Sequence, residues 1–365
     1  MARRAELERE AECILSARQK AILKAIVEDY ITAAEPVASK NLLEAHRWDI
    51  SSATVRKEMA ELEQAGFLEQ PHTSAGRVPT DRGYRAYVDE LLTPYQLRPQ
   101  EVARLNSFLE HNLIEVEAVV RGAAAALSVV TGLTALVVLP QYEQAELKKL
   151  HLILIEPGRA LCVLILSAGT VKDKRLEIYS ELDQLRLEAI ALAIQEAIAG
   201  QKLNEIHLGE IESALLYTQL TPELAQELAR NIFRVIAEAQ TLEVFVQGEH
   251  LLLQQPEFHD PERANLTFSE LQKESGLAAY LEPSEQLADC GEMLIKIGSE
   301  LAFAGLSDLS LISARYQYSP GICGQIAVIG PRRMAYSSII SNVKYLRQSL
   351  SDEKTSPEEE NSGKK

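Results

Sequence analysis

The sequence predicts an α+β protein of 365 residues: an N-terminal winged helix-turn-helix, then an α+β domain interrupted in its middle by an independent piece. Three observations predict it. Residues 50–89 order a short helix with a basic first turn, a Gly-containing hairpin tip and a Tyr-rich helix. Beyond residue 100, helical and strand-like apolar patterns alternate, and they change character over residues 203–283. The length also exceeds the usual size of one core, so two or three domains are expected.

The first helix is expected over residues 18–31, where Ile22, Leu23, Ile26, Val27 and Ile31 have amphipathic spacing. A shorter helix follows over 37–45, with Pro36 suited to its start, and Arg47, Trp48 and Asp49 make a tight turn. The third helix spans 52–65. Ser51 is a good N-cap, and Gly66 can take the left-handed conformation that ends a helix. Three helices with short connections form a helix-turn-helix.

The third helix carries the chemistry. Val55, Met59 and Leu62 share one face, so Ala53, Lys57, Ala60 and Gln64 point the other way, flanked by Thr54, Arg56 and Glu61. Arg56 and Lys57 lie near its start, and Glu58, Glu61 and Glu63 lie further on. A helix that enters a major groove by its N-terminal end wants this order, because amide donors and cations meet phosphate and guanine acceptors while the carboxylates leave the groove. Ser52, Ala53, Thr54, Arg56 and Lys57 are therefore candidate DNA contacts.

Residues 67–71 read as a strand, 72–77 as a turn and Val78-Pro79 as the return strand of a wing. His72, Thr73, Ser74, Gly76 and Arg77 at its tip could bond phosphate or enter a minor groove. In the helix from Thr80, Tyr84, Val88 and Leu91 have core spacing, which leaves Arg82 and Arg85 as candidate phosphate contacts. On pattern alone, a solvated charged face or a protein-binding winged helix remains the alternative.

The formal net charge of −16 is unevenly divided. Residues 1–98 hold 14 Lys and Arg against 16 Asp and Glu, whereas the remainder holds 23 against 37. The acidic part would repel DNA and orient the molecule wing-first, within a screening length of about 10 Å. No apolar run reaches membrane-spanning length and the N-terminus runs into glutamates, so a cytoplasmic protein with no membrane partner is expected. Cys13, Cys162, Cys290 and Cys323 lack paired spacing, which argues against disulfides and a zinc cage. No histidine lies close in sequence to activate Cys323, and neither an enzyme nor a cofactor is expected.

After a linker at residues 97–99, a long helix is expected over 101–130, strands over 133–139, 150–155 and 161–166, and a helix over 182–199. Glu156-Pro157-Gly158-Arg159 turns a hairpin between the second and third strands. The independent piece over 203–283 holds helix 222–239, a short strand at 244–247 and a helix near 269–281. Strands at 310–318 and 323–330 and a helix over 336–350 follow, then a disordered tail over 351–365. Gly330-Pro331-Arg332-Arg333 reads as a solvated turn, with a phosphate or carboxylate site as the alternative.

Residues 66–85, GFLEQPHTSAGRVPTDRGYR, resemble the wing signature of the HrcA family of bacterial heat-inducible transcription repressors, and Ser51 to Met59 resemble its recognition helix. Residues 244–248, VFVQG, and 324–336, GQIAVIGPRRMAY, are similar to the same family, so the resemblance covers most of the chain. It implies a GAF-like domain over 100–202 and 284–350 that carries an inserted dimerisation domain at 203–283, behind a DNA-binding domain over 1–97. It also implies a homodimer that binds the inverted-repeat CIRCE operator of chaperone genes, with GroE chaperonin as partner and association with the nucleoid when bound. Dimerisation has a physical reason too, since one recognition helix reads too few base pairs to be selective. A repressor that senses a small ligand in the GAF-like cavity is the other expectation.

Overall fold

The structure, a computed structural model, describes residues 15–72, 75–109, 116–139, 145–167, 171–178, 182–239, 244–271, 293–301, 306–319 and 322–352. Its elements form a mixed α+β protein, and chain contacts divide it into two compact units. One unit comprises Met1–Val137, Val244–Arg315 and Ile326–Gln348; the other comprises Val138–Glu243, Tyr316–Gln325 and Ser349–Lys365.

The first unit begins with α1 (Ala17–Ala33), α2 (Ser39–His46) and α3 (Ser52–Gln64). A capping box between Ser16 and Gln19 starts α1, and it buries Ile22, Leu23, Ala25, Ile26 and Val27. α2 starts two residues later than expected because Val37 is drawn into backbone pairing with Arg77, with N–H to carbonyl distances of 2.9 Å in both directions. β1 (Leu68–Glu69) pairs antiparallel with β2 (Val78–Pro79), which places Leu68 opposite Pro79. The hairpin strand is shorter than the sequence pattern.

α4 (Asp81–Ala86) is capped by the Thr80 hydroxyl, which accepts from the Gly83 N–H at 3.1 Å. It continues as a π-helical turn over Tyr87–Leu91. The wider turn shifts the helical register, so Tyr84 and Tyr87 are buried while Val88 and Leu91 are only half-buried. The helix expected over 101–130 is two packed helices, α5 (Pro99–Leu109) and α6 (Val116–Thr131); residues 110–115 lie outside the described set.

β3 (Thr134–Val138) follows, and the chain then leaves the sheet and returns at β7 (Val244–Gln247), directly beside β3. With β8 (Met293–Ile297), β9 (Leu309–Ser319) and β10 (Ile322–Pro331), these strands form one sheet of order β7-β3-β10-β9-β8. α10 (Glu249–Leu253) and α11 (Pro261–Leu271) follow β7. α12 (Tyr336–Asp352) extends two residues into the stretch expected to be a tail. Of the helix expected near 269–281, residues 272–281 lie outside the described set, as do 353–365.

The second unit is built from β4 (Leu147–Glu156), β5 (Arg159–Leu166) and β6 (Val171–Glu177), an antiparallel sheet, with α7 (Gln184–Ile198), α8 (Leu208–Leu215) and α9 (Pro222–Glu238). One continuous core joins Leu150, Leu152, Leu164, Ile190, Ile194, Leu228 and Ile232. The chain between the adjacent strands β3 and β7 is therefore residues 139–243, a longer stretch than the inserted piece expected over 203–283. Strands β4 and β5 and helix α7, assigned from sequence to the first part of the sheet domain, share this core with α8 and α9: β4 packs on α7, α7 on α8 and β5 on α9.

Leu164 is fully buried in this core. Leu164→Ala should destabilise the second unit by about 2–5 kcal/mol through lost transfer energy and a residual cavity, read as a lower urea midpoint. A midpoint equal to that of the unmodified chain would place Leu164 outside a packed core.

Candidate nucleic-acid interface

α3 is held by one side. Val55, Met59 and Leu62 are buried, and the Ser51 hydroxyl accepts from the Thr54 N–H at 3.1 Å. On the other side Ala53, Arg56 and Lys57 are exposed, and Ser52 and Thr54 are half-buried. Arg56 Nε donates to Ser39 Oγ at 3.4 Å, and Lys57 Nζ lies 3.7 Å from Glu61 Oε1 one turn on, with the lysine side chain 77% exposed. Ser39, at the start of α2, carries no signal in the sequence that would have marked it.

The carboxylates of α3 are drawn toward the rest of the N-terminal helices. Arg18 reaches Glu58 at 3.4 Å, Gln19 donates to Glu61 at 3.0 Å and Arg77 holds Glu63 at 2.9 Å. The outer surface at the start of α3 is thus small and cationic, while the acidic half is engaged by neighbours. Coulombic attraction to a polyanion is concentrated at the positive end of the helix dipole.

The β1–β2 hairpin is pinned at its base. Gln70 Nε2 donates to the Ala75 carbonyl at 2.9 Å, and the Ala75 N–H to the His72 carbonyl at 2.8 Å. His72 is exposed; Thr73 and Ser74 lie outside the described residues. Gly76 does not need a positive φ. It needs to lack a side chain, because a Cβ there would overlap the Val37 carbonyl group and lie 2.7 Å from the Pro36 oxygen.

The three arginines read as groove or phosphate contacts have partners inside the protein. Arg77 makes its ion pair with Glu63 with a side chain only 20% exposed. Arg82 Nη1 donates to the Ala65 carbonyl at 2.9 Å and its guanidinium stands 4.6 Å from the Phe67 ring centroid, so it closes the C-terminal end of α3. Arg85 pairs with Glu300 and Asp89 and donates to the Ile295 carbonyl at 2.7 Å. These partners lie as far as 215 residues away in sequence, so spacing could not reveal them.

The arginines of residues 330–333 are likewise occupied by the chain's own carboxylates. Arg332 reaches Asp81 at 2.9 Å and Asp308 at 3.4 Å; Arg333 reaches Glu257 at 2.6 Å and Gln255 at 3.0 Å. Burial pushes the Cys162 thiol up to about 12, so it carries no reactive thiolate near neutral pH. Among the described residues, no group of three or more His, Cys, Asp or Glu is placed to hold a metal ion, and no helix is long and apolar enough to cross a membrane.

The family model described as HrcA protein C terminal domain matches residues 117–340. The heat-inducible transcription repressor HrcA of Ruminiclostridium cellulolyticum is 33% identical over 341 residues, covering 93% of this chain and 97% of its own. The protein of the same name from Bacillus pumilus is 31% identical, covering 93% and 98%. A crystal structure of a hypothetical protein at 2.2 Å resolution matches with a TM-score of 0.59 and 21% identity over 93% of this chain and 98% of that one, a likeness of fold.

Gly76→Val should destabilise the N-terminal helices and hairpin by about 1–3 kcal/mol through overpacking against residues 36 and 37, read by thermal unfolding. An unfolding midpoint equal to that of the unmodified chain would show that the hairpin yields without cost.

Proposed function

The chain belongs to the HrcA family of heat-inducible transcription repressors, negative regulators of heat-shock transcription, and we propose that it exerts this control as a homodimer whose α3 helices enter the major groove of an inverted-repeat operator. The observation that carries the reading is the sorting of α3: apolar residues pinned beneath, carboxylates held by Arg18, Gln19 and Arg77, and Ala53, Arg56 and Lys57 turned outward. In this reading the three helices and the β1–β2 hairpin are a winged helix. Ser52, Thr54, Arg56, Lys57 and the wing residues His72, Thr73 and Ser74 meet DNA. Arg77, Arg82 and Arg85 position these contacts from within.

The family resemblance points to CIRCE as the operator and to GroE chaperonin as the partner that returns heat-damaged repressor to its active form. Marginal stability, at about 0.05–0.15 kcal/mol per residue, makes loss of repression on mild heating physically accessible. In the same reading the five-stranded sheet and its helices are the GAF-like domain. A small-ligand signal is not favoured at residues 330–333, because their arginines already bind Asp81, Asp308 and Glu257.

A second copy of the chain fits the outer face of the sheet in the second unit. An antiparallel sheet with one wet face normally alternates apolar and polar residues. Here the face opposite the core adds Ile153, Ile155, Leu161, Val163, Ile165 and Val171 among Lys149, His151, Asp173 and Arg175, with Ile153 opposite Leu161 and Ile165 opposite Val171. Ile153, Ile155 and Val171 are 46%, 51% and 55% exposed, respectively. Covering such a patch by its symmetry mate would bury it and join two winged helices.

Lys57→Ala should weaken operator binding by about 1–3 kcal/mol if it reads a base edge. Gel shifts on the chaperone promoter measure it, and equal affinity of the unmodified chain and an Arg56→Ala/Lys57→Ala double variant would contradict the docking. Val163→Asp should convert the dimer to monomer in sedimentation without changing helix content; a dimer that persists would move the interface elsewhere.

A further inference from the structure

The residues 66–85 and 324–336, singled out separately in the sequence, meet in the structure. Asp81, in the first turn of α4, accepts from Arg332 Nη1 at 2.9 Å. Its second oxygen accepts from the Ser299 N–H at 2.9 Å and the Ser299 hydroxyl at 2.8 Å. Gly298 turns the backbone into this position at φ +52°, and a Cβ there would overlap the Asp81 carboxylate. Burial works against ionisation of Asp81, yet these donors hold its carboxyl below the usual range.

One helical turn on, Arg85 shares the face of Asp81 and grips Glu300 and the Ile295 carbonyl. Between them Tyr84 is buried with its ring centroid 6.0 Å from that of Tyr336, whose hydroxyl donates to the Arg332 carbonyl at 2.7 Å. The exit helix of the wing is therefore fastened by two charges of opposite sign to two different segments, 295–300 and 332–336. All of these residues belong to one compact unit.

We propose that the Asp81–Arg332–Ser299 contact, with Arg85–Glu300, is a positioning clamp that sets the orientation of the winged helix for simultaneous engagement of two operator half-sites. It rests on the DNA-binding reading above. The clamp residues do not meet DNA. Their effect comes through geometry, since a winged helix released from the sheet-bearing part keeps its own surface but loses the fixed spacing that lets two copies bind as one.

The full-length chain tests this on two duplexes, a complete inverted repeat from its chaperone promoter and a single half-site. Asp81→Asn, Arg332→Gln and Gly298→Ala are compared with the unmodified chain, each at a temperature below its measured unfolding transition. Gly298→Ala displaces the carboxylate without changing a charge. All three should lose at least about fivefold in affinity for the complete repeat, the low end of coupling between sites, with half-site affinity unchanged. In Asp81→Asn combined with Arg332→Gln, the loss should be no larger than in the worse single variant, because the two residues act through one contact. Unchanged affinity for the complete repeat, or equal losses on both duplexes, would overturn the clamp. An unmodified chain that binds the complete repeat no better than the half-site would instead overturn the dimeric repressor reading on which it rests.

Discussion

The surface of α3 depends on what lies beneath it. Val55, Met59 and Leu62 anchor one side of a 13-residue helix in the core formed with α1, and this fixes which residues face outward. If that side were loosely held, Arg56 and Lys57 would sample many directions, and the entropy of ordering them would fall on the binding step. Packing therefore acts on function by fixing direction. The same packing brings Arg18 and Gln19 of α1 against Glu58 and Glu61, so the apolar contact also arranges the charge.

The arginines show how far charge alone is from function. Arg77, Arg82 and Arg85 all lie in the segment that a reader of sequence would give to phosphate, and each has a partner within the fold. Arg82 on the Ala65 carbonyl and the Phe67 ring holds the junction between α3 and the β1–β2 hairpin. Ion pairs near the surface, such as Arg85 with Asp89, contribute little stability singly. Their geometric value is larger, because a guanidinium fork on a carbonyl or carboxylate permits few orientations.

Much of this was legible in the sequence because it is local. The Ser51 cap, the spacing of Val55, Met59 and Leu62, and the end of α3 at Gly66 follow from side-chain chemistry within a few residues. Less legible was β6, whose Val171-Lys172-Asp173-Lys174-Arg175-Leu176-Glu177 run is charged on both faces and pairs only because β5 offers its edge. Which sheet the strands of residues 147–166 join was hard to read for a similar reason: apolar strands read the same in either sheet, and only α7 to α9 show where these pack. Tyr87 escaped the helical pattern through a π turn, and Gly76 is needed for an approach by residues 36 and 37 that no turn rule encodes.

The central claim is that an outward, cationic helix start in each of two joined copies reads an operator. Hydroxyl-radical footprinting of the purified chain on its own chaperone promoter tests it most directly. Two protected tracts related by the symmetry of the repeat, with protection that fades steeply as salt is raised, is the result expected of paired major-groove helices. A single tract, or uniform protection indifferent to sequence, would contradict it.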